Sequence, residues 1–290
     1  MQKNNIYCPT PNIFSDEIFE FIKTNKYLNL VNKSDPKVNT LLIRFNTKAN
    51  SKYLSSFKKL KYLISPTTGV NHIDIDYLKE KKIKLICLKN KQAFLKKINA
   101  SAEHTISLIL SILKKIPMAV EDVKKNNWSS VKFVGEELNN KVVGIIGYGR
   151  IGKKLASLCI AFNAKVIFYD PFKKKFDNKI KKYNDISLLI KHSDIISINI
   201  PLNKKTENFF NKDKFHLMNK NSYLINTSRG EVIDQEILFE YLKTNKIKGA
   251  AIDVLQNEHS KIKIKYLLKE TNKLSNLIVT PHIAGLTKES

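Results

Sequence analysis

KVVGIIGYGRIGKKLASLCIAFNAKVIFYDP, residues Lys141 to Pro171, reads as a strand, a glycine turn, a helix and a second strand. Val142-Val143-Gly144-Ile145-Ile146 is an apolar run of the kind buried on both faces of a parallel sheet. Gly147-Tyr148-Gly149-Arg150-Ile151-Gly152 follows at once. Leu155, Leu158, Cys159 and Phe162 then recur at helical spacing. Val166-Ile167-Phe168-Tyr169 is the second run, and it ends in Asp170.

Each part has a physical task. Gly147 lets the chain turn tightly out of the strand, Gly149 removes a side chain so that a pyrophosphate can approach the backbone, and Gly152 lets helix and strand pack closely. The helix start offers unpaired N–H groups and a partial positive charge to the phosphates. Asp170 lies 23 residues after Gly147, at the end of the second strand. There it can accept hydrogen bonds from both ribose hydroxyls and repel a 2′-phosphate, so the expected cofactor is NAD. A GxGxxG alone is a weak signal. The strand and helix around it strengthen it here, as does the crowding of four of the chain's nine glycines between Gly144 and Gly152.

Outward from this unit a strand–helix rhythm continues in both directions. Before it, strands are expected at Asn5 to Cys8, Thr40 to Phe45, Tyr62 to Ser65 and Lys84 to Cys87, with helices at Glu17 to Lys23, Ser51 to Phe57 and Ile75 to Lys81. Asn99 to Lys125 reads as one long apolar helix kinked at Pro117, connecting two α/β units. After it, strands are expected at Asp194 to Ile200, Ser222 to Asn226, Gly249 to Val254 and Asn276 to His282, and Asp234 caps a helix. Pro171, Pro201 and Pro281 close strands. In open α/β sheets ligands bind beyond such carboxyl ends, which gathers Arg229, Asp253 and His282 at one edge.

Those side chains imply a chemistry. The planar fork of Arg229 matches a carboxylate. His282 is suited to exchange a proton near neutral pH. Glu258, in the loop after the Asp253 strand, can orient the imidazole and balance its protonated form. With a nicotinamide, the outcome is hydride transfer at a carbon beside a carboxylate.

The 290 residues fit about two domains. No apolar run reaches the ~18 residues needed to cross a membrane, and the N-terminus lacks an apolar signal core, so a soluble cytoplasmic protein is expected. Cys8, Cys87 and Cys159 lack metal-ligand spacing; reduced thiols and no metal site are expected. The net charge of +25 raises the question of nucleic acid, but only three residues are Arg and the lysines are dispersed. That pattern reads as compositional bias rather than a nucleic-acid footprint, with no specific nucleic-acid partner expected.

The chain resembles the D-isomer-specific 2-hydroxyacid dehydrogenases. The resemblance is carried by LLIRFNTK around Arg44, TTGVNHID from Thr67, NASAEHTISLIL from Asn99, GIIGYGRIG, INTSRGEVID from Ile225, AAIDVLQNE from Ala250 and TPHIAG from Thr280, all in the family's order. It implies an α/β protein of two Rossmann-like domains. Residues 1–98 would form a flavodoxin-like substrate-binding domain, completed by the tail 284–290. Residues 99–283 would form the NAD-binding domain, with a doubly wound parallel sheet.

The resemblance also implies roles. Arg229 clamps the substrate carboxylate, His282 is the acid/base and Glu258 its partner. Thr68, Gly69 and Val70 bind the carboxylate through backbone groups, and Arg44 approaches the substrate's far end, such as a phosphate. Arg150 and Ile151 cover the pyrophosphate and Asp253 meets the nicotinamide carboxamide. Ile200, Pro201, Thr227, Ser228, Arg229, His282 and Gly285 line the cofactor. A homodimer through the NAD domain is implied, with a small 2-hydroxy or 2-keto acid as substrate: most closely a 3-phosphoglycerate-type acid, alternatively glycerate, glyoxylate or D-lactate. A non-catalytic NAD-sensing scaffold is the rival from another class.

Two departures bear on these expectations. The family commonly follows its catalytic Glu with Pro, whereas His259 stands here and offers a competing imidazole. Only Leu286 to Ser290 follow TPHIAG, so a C-terminally shortened chain is expected, with Thr287 capping a helix that barely begins.

Overall fold

The computed structural model of the chain describes residues 3–89, 91–177, 180–258 and 260–289. It divides into two compact units, Met1–Lys97 and Ile98–Ser290.

The first unit holds strands β1 (Asn4–Tyr7), β2 (Leu28–Leu30), β3 (Thr40–Leu42), β4 (Tyr62–Ser65) and β5 (Lys84–Cys87), with helices α1 (Asp16–Thr24), α2 (Ser51–Leu54), α3 (Ile75–Glu80) and α4 (Gln92–Leu95). All strand pairs are parallel, in the order β2-β1-β3-β4-β5, the flavodoxin-type order. Alternate side chains of one strand enter opposite cores, as a pleat requires. Leu41 joins the cluster of Val38, Leu54, Leu63 and Leu78; Leu42 joins Ile6, Cys8 and Ile22.

The second unit begins with helices α5 (Ala100–Leu113) and α6 (Ile116–Lys124). Here the expected single helix kinked at Pro117 is corrected. The break is at Lys115, whose backbone is left-handed at φ 54°, and Pro117 occupies the first turn of a new helix. A proline there gives up an N–H that would have had no intrahelical partner, so it costs little. The buried side chains of α5, among them Ile109, Ile112 and Leu113, belong to the core of the second sheet. In contrast, α6 buries nothing: Ile116, Val120 and Val123 are half-exposed, and Trp128, Val131 and Val134 beyond it are strongly exposed.

Then come β6 (Val142–Ile146), α7 (Arg150–Ala161), β7 (Lys165–Tyr169), β8 (Lys181–Lys182), α8 (Ile186–Lys191), β9 (Ile195–Ile198), α9 (Lys212–His216), β10 (Tyr223–Asn226), α10 (Gln235–Lys243), β11 (Gly249–Ile252), α11 (Lys261–Thr271) and β12 (Leu277–Val279). The parallel sheet runs β8-β7-β6-β9-β10-β11-β12. Strand order reverses between β6 and β9, which is the switch point where a doubly wound sheet opens a crevice for its ligand. Both faces are covered: Ile146, Ile196 and Leu224 pack on one side, and Val143, Ile145 and Ile225 on the other. Among the described residues no helix is long and apolar enough to cross a membrane.

Several strands stop short of their apolar runs. β9 ends at Ile198, β11 at Ile252 and β12 at Val279, so Ile200, Asp253 and His282 sit in the turns beyond.

Away from that edge, Glu136 ties three elements together. Its carboxylate receives Lys141 Nζ at 2.5 Å, Lys248 Nζ at 2.6 Å and Tyr223 Oη at 2.6 Å. Burial pushes its pKa up, but these donors outweigh it and hold the group at about 2. A depressed folded pKa gives stability that is present above the ordinary carboxylate range and is lost as pH falls from there towards 2. Glu136→Gln should therefore lower the melting temperature at pH 7, and the gap from wild type should close as pH falls below about 4. Thermal melts across pH check this; a gap that stays constant to pH 3 contradicts it.

Candidate active site

Gly147 leaves β6 with φ at +93°, a region that L side chains rarely adopt. A Cβ there would also stand 2.6 Å from the Asn199 carbonyl and 2.7 Å from Ile200 Cγ2. A Cβ on Gly152 would collide with the Gly147 carbonyl at 2.2 Å, so helix–strand contact depends on its absence. At Gly149 a Cβ would meet nothing within 4 Å. The protein itself does not demand that glycine, whereas an approaching pyrophosphate does. Gly149 is also the N-cap of α7, and it supplies no side-chain cap to the helix's first N–H groups. These groups fit the diphosphate of a dinucleotide. Arg150, the first residue of α7, is half-buried, and its guanidinium donates to the Ile98 carbonyl at 3.1 Å; Ile151 follows it on the helix.

Asp170 caps the end of β7 and reaches back to the loop. Its Oδ2 accepts the Tyr148 N–H at 2.9 Å and its Oδ1 the Phe172 N–H at 2.9 Å. Each carboxylate oxygen keeps lone-pair capacity for a ribose hydroxyl. Lys173 crowds Lys153 and lowers its pKa, and Lys153 Nζ lies 5.9 Å from the centroid of the Tyr148 ring. Wild type should prefer NAD over NADP in kcat/KM by about tenfold or more, and Asp170→Asn should narrow that ratio. Kinetics with both cofactors check it; a wild-type NADP preference contradicts the assignment.

The turn after β10 is shaped by Asn226, a buried residue that the sequence reading passed over. Its Oδ1 accepts Ser228 N at 3.0 Å and Ser228 Oγ at 2.7 Å, and its Nδ2 donates to the Arg229 carbonyl at 2.9 Å. The Thr227 hydroxyl is held 2.8 Å from Thr105 Oγ1 of α5. Arg229 sits at the mouth of this turn, half-buried, with Nη1 on the Ser228 carbonyl at 2.6 Å. Burial lowers its pKa, and the charges of Glu258 and Glu231 work in the opposite direction.

His282 and Glu258 meet directly: Nδ1 to Oε1 is 2.6 Å, with side chains 16% and 20% exposed. With Nδ1 turned to the carboxylate, Nε2 is the ring nitrogen aimed at proton exchange. His282 has a left-handed backbone, φ 56°. It is the only histidine among the described residues with that conformation; most of the other non-glycine residues that share it are Asn. Such strain persists only where the surroundings hold it. His259, the competing imidazole, lies outside the described residues.

What holds His282 is Asp253. The Asp253 side chain has no exposed surface. Its Oδ1 accepts Thr280 Oγ1 at 2.5 Å and Ile283 N at 2.9 Å, its Oδ2 accepts Ala284 N at 2.8 Å, and its backbone carbonyl accepts His282 N at 2.8 Å. His104 of α5 stands behind, with Nε2 3.0 Å from Thr280 Oγ1 and 3.4 Å from Asp253 Oδ1. Burial raises the Asp253 pKa, but His104, Thr280 and the two amides more than reverse this. Asp253 thus gathers the whole Thr280–Ala284 turn. The hydroxyl of Thr280 and the imidazole of His104 left no readable trace of this in sequence, because the two residues stand far apart along the chain.

The other expected positions are divided between the two units. Ile200 is partly buried beside Gly147, Pro201 is exposed, and Gly285 ends the Asp253-held turn with no atom crowding its Cβ position. In the first unit, the half-buried Arg44 follows β3, and its Nη1 donates to the Ile13 carbonyl at 3.2 Å. Thr68, Gly69 and Val70 form the turn after β4, with Thr68 exposed.

Comparison with known proteins places this arrangement. The family described as "D-isomer specific 2-hydroxyacid dehydrogenase, NAD binding domain" matches residues 106–284. D-3-phosphoglycerate dehydrogenase of Archaeoglobus fulgidus is 32% identical over 271 residues, which are 93% of this chain and 50% of that protein. Hydroxypyruvate reductase of Thermotoga maritima is 30% identical over 290 residues, 100% of this chain and 88% of that protein. The crystal structure of D-lactate dehydrogenase from Aquifex aeolicus, complexed with NAD and lactic acid, aligns with a TM-score of 0.83 at 29% identity, covering 99% of this chain and 90% of that one. The chain spans about half the length of the D-3-phosphoglycerate dehydrogenase it matches. A glycine turn at the switch point of a doubly wound sheet, followed by the matched motifs in order, makes the second unit an NAD-binding domain, and the chain belongs to the D-isomer specific 2-hydroxyacid dehydrogenase family.

Proposed function

We propose that the chain interconverts a D-2-hydroxy acid and its 2-keto acid. The observation that carries this reading is the 2.6 Å His282–Glu258 pair with Arg229 close by. Bound NAD supplies the acceptor for the hydride that leaves C2 of the hydroxy acid. Arg229 holds the carboxylate and the oxygen on C2 in its planar fork. His282 takes the hydroxyl proton at Nε2 as C2 becomes a carbonyl carbon, and returns it in the reverse direction. Glu258 fixes the ring through Nδ1 and balances the imidazolium that forms. Thr68, Gly69 and Val70 contribute backbone donors to the carboxylate.

Within this class we favour a substrate with an anionic far end, of the 3-phosphoglycerate type. The Arg44 Nε is buried and has no hydrogen-bond partner among the described residues, and an unpaired guanidinium N–H in that position favours an anion. The reductase-like similarity supports hydroxypyruvate or glyoxylate as the second reading. NADH-dependent rates with phosphohydroxypyruvate, hydroxypyruvate, glyoxylate and pyruvate test both. The phosphorylated acid should give the highest kcat/KM. No turnover on any of the four would remove the enzymatic reading and favour the NAD-sensing scaffold.

The exposed apolar face of α6, continued by Trp128, supports pairing of two copies through the second unit. Light scattering should give a dimer for wild type and a monomer for Trp128→Glu; a monomeric wild type contradicts this.

A further inference from the structure

A chain of hydroxyls runs through the first unit from a buried histidine to the Thr67–Val70 turn. His72 is 3% exposed and Ser65 is 0% exposed. His72 Nε2 lies 3.3 Å from Ser65 Oγ, Ser65 Oγ lies 2.9 Å from Thr67 Oγ1, and Thr67 Oγ1 donates to the Gly69 carbonyl at 2.8 Å.

Counting protons sets the direction of the whole chain. A carbonyl only accepts, so the single Thr67 hydroxyl proton goes to Gly69. The contact between Ser65 and Thr67 must then use the Ser65 proton. Ser65 has none left for the imidazole, so His72 Nε2 must be the donor. The relay reads His72 Nε2–H to Ser65, Ser65 to Thr67, and Thr67 to Gly69, with every rotor fixed by the imidazole at its head. In a trans peptide the C=O and the following N–H point in opposite directions. Pinning the Gly69 carbonyl onto Thr67 therefore turns the Val70 N–H to the other side of that peptide. The base of the turn is tied separately, Thr67 N to Ser65 O at 2.7 Å and Ile73 N to Val70 O at 3.0 Å.

We infer that His72 is a positioning residue: as an obligate Nε2–H donor it orients the Gly69–Val70 peptide whose N–H receives the substrate carboxylate. This rests on the proposed reading of the turn as the carboxylate site. His72 touches no substrate, so its loss weakens substrate binding rather than proton transfer.

Three variants of the full chain test this. Ser65→Ala cuts the relay with the least change of volume, His72→Leu removes the donor, and His72→Gln keeps a donor at nearly the reach of the imidazole Nε2. Ser65→Ala and His72→Leu should raise KM for the preferred 2-keto acid about tenfold with kcat within about twofold, and His72→Gln should restore most of the loss. Nitrogen-15 NMR of wild type should show the proton on His72 Nε2, and the Gly69 and Val70 amide signals should move in Ser65→Ala but much less in His72→Gln. A proton on Nδ1 alone, or unmoved amides in Ser65→Ala, overturns the inference, as does a fall in kcat at unchanged KM. If wild type turns over no 2-keto acid, the functional reading has failed, while the tautomer and the amide shifts still decide the relay.

Discussion

His282→Ala is expected to lower kcat by about 10²–10⁴-fold, the span of a lost general acid/base, with little change in NADH binding. The expectation follows from the placement of the ring, with Nδ1 on Glu258 at 2.6 Å and the side chain mostly buried. Glu258→Gln retains the shape but not the charge that balances an imidazolium, so it should lie between wild type and His282→Ala in kcat. Arg229→Lys should act differently. It keeps a positive charge and loses the fork, so KM should rise along with the fall in kcat. Steady-state kinetics on the three variants separate these roles. A nearly wild-type His282→Ala alongside an inactive His259→Ala would move the acid/base to the neighbouring imidazole.

Asp253→Ala carries the second large effect. It removes the acceptor for the Thr280 hydroxyl and for the Ile283 and Ala284 amides, in a place with no solvent to replace it. A buried donor left unpaired costs about 1–3 kcal/mol, and removing one partner of a buried charged network about 3–5 kcal/mol. The melting temperature should fall on the order of 10 °C. The left-handed backbone of His282 also loses its support, so kcat should fall with it. Asp253→Asn should fall between, since its amide nitrogen faces donors. The alternative role, contact with the nicotinamide carboxamide, predicts a different pattern: an unchanged melt and a raised KM for NAD alone. Calorimetry and cofactor titration on both variants distinguish the two.

The dinucleotide loop was legible because its constraints are local. Gly147 needs a positive φ and Gly152 needs close packing, and both needs fall within one short stretch between two apolar runs. The parallel sheets were legible for a related reason, since strands such as β6 and β9 are apolar on both faces. The break at Lys115 was not, because a left-handed lysine carries no sequence mark and Pro117 is a helix breaker in the interior but a tolerated residue in a first turn. β2 and β8 were missed: they are edge strands of three and two residues, too short for a period to register. The Asp253 network was invisible for a different reason. Its partners His104 and Thr280 are 176 residues apart, and only the packing of α5 against the second sheet brings them to one carboxylate.

The central claim is that this chain moves a hydride to C2 of a 2-keto acid on the D face, with His282 supplying the proton. Incubating it with NADH deuterated at both C4 positions and phosphohydroxypyruvate, then locating the label and resolving the enantiomers of the product, tests that directly. Deuterium is expected on C2 of the D-2-hydroxy acid, with His282→Ala forming the same labelled product at least about 10²-fold more slowly. Absence of label at C2, or an L-configured product, would contradict it.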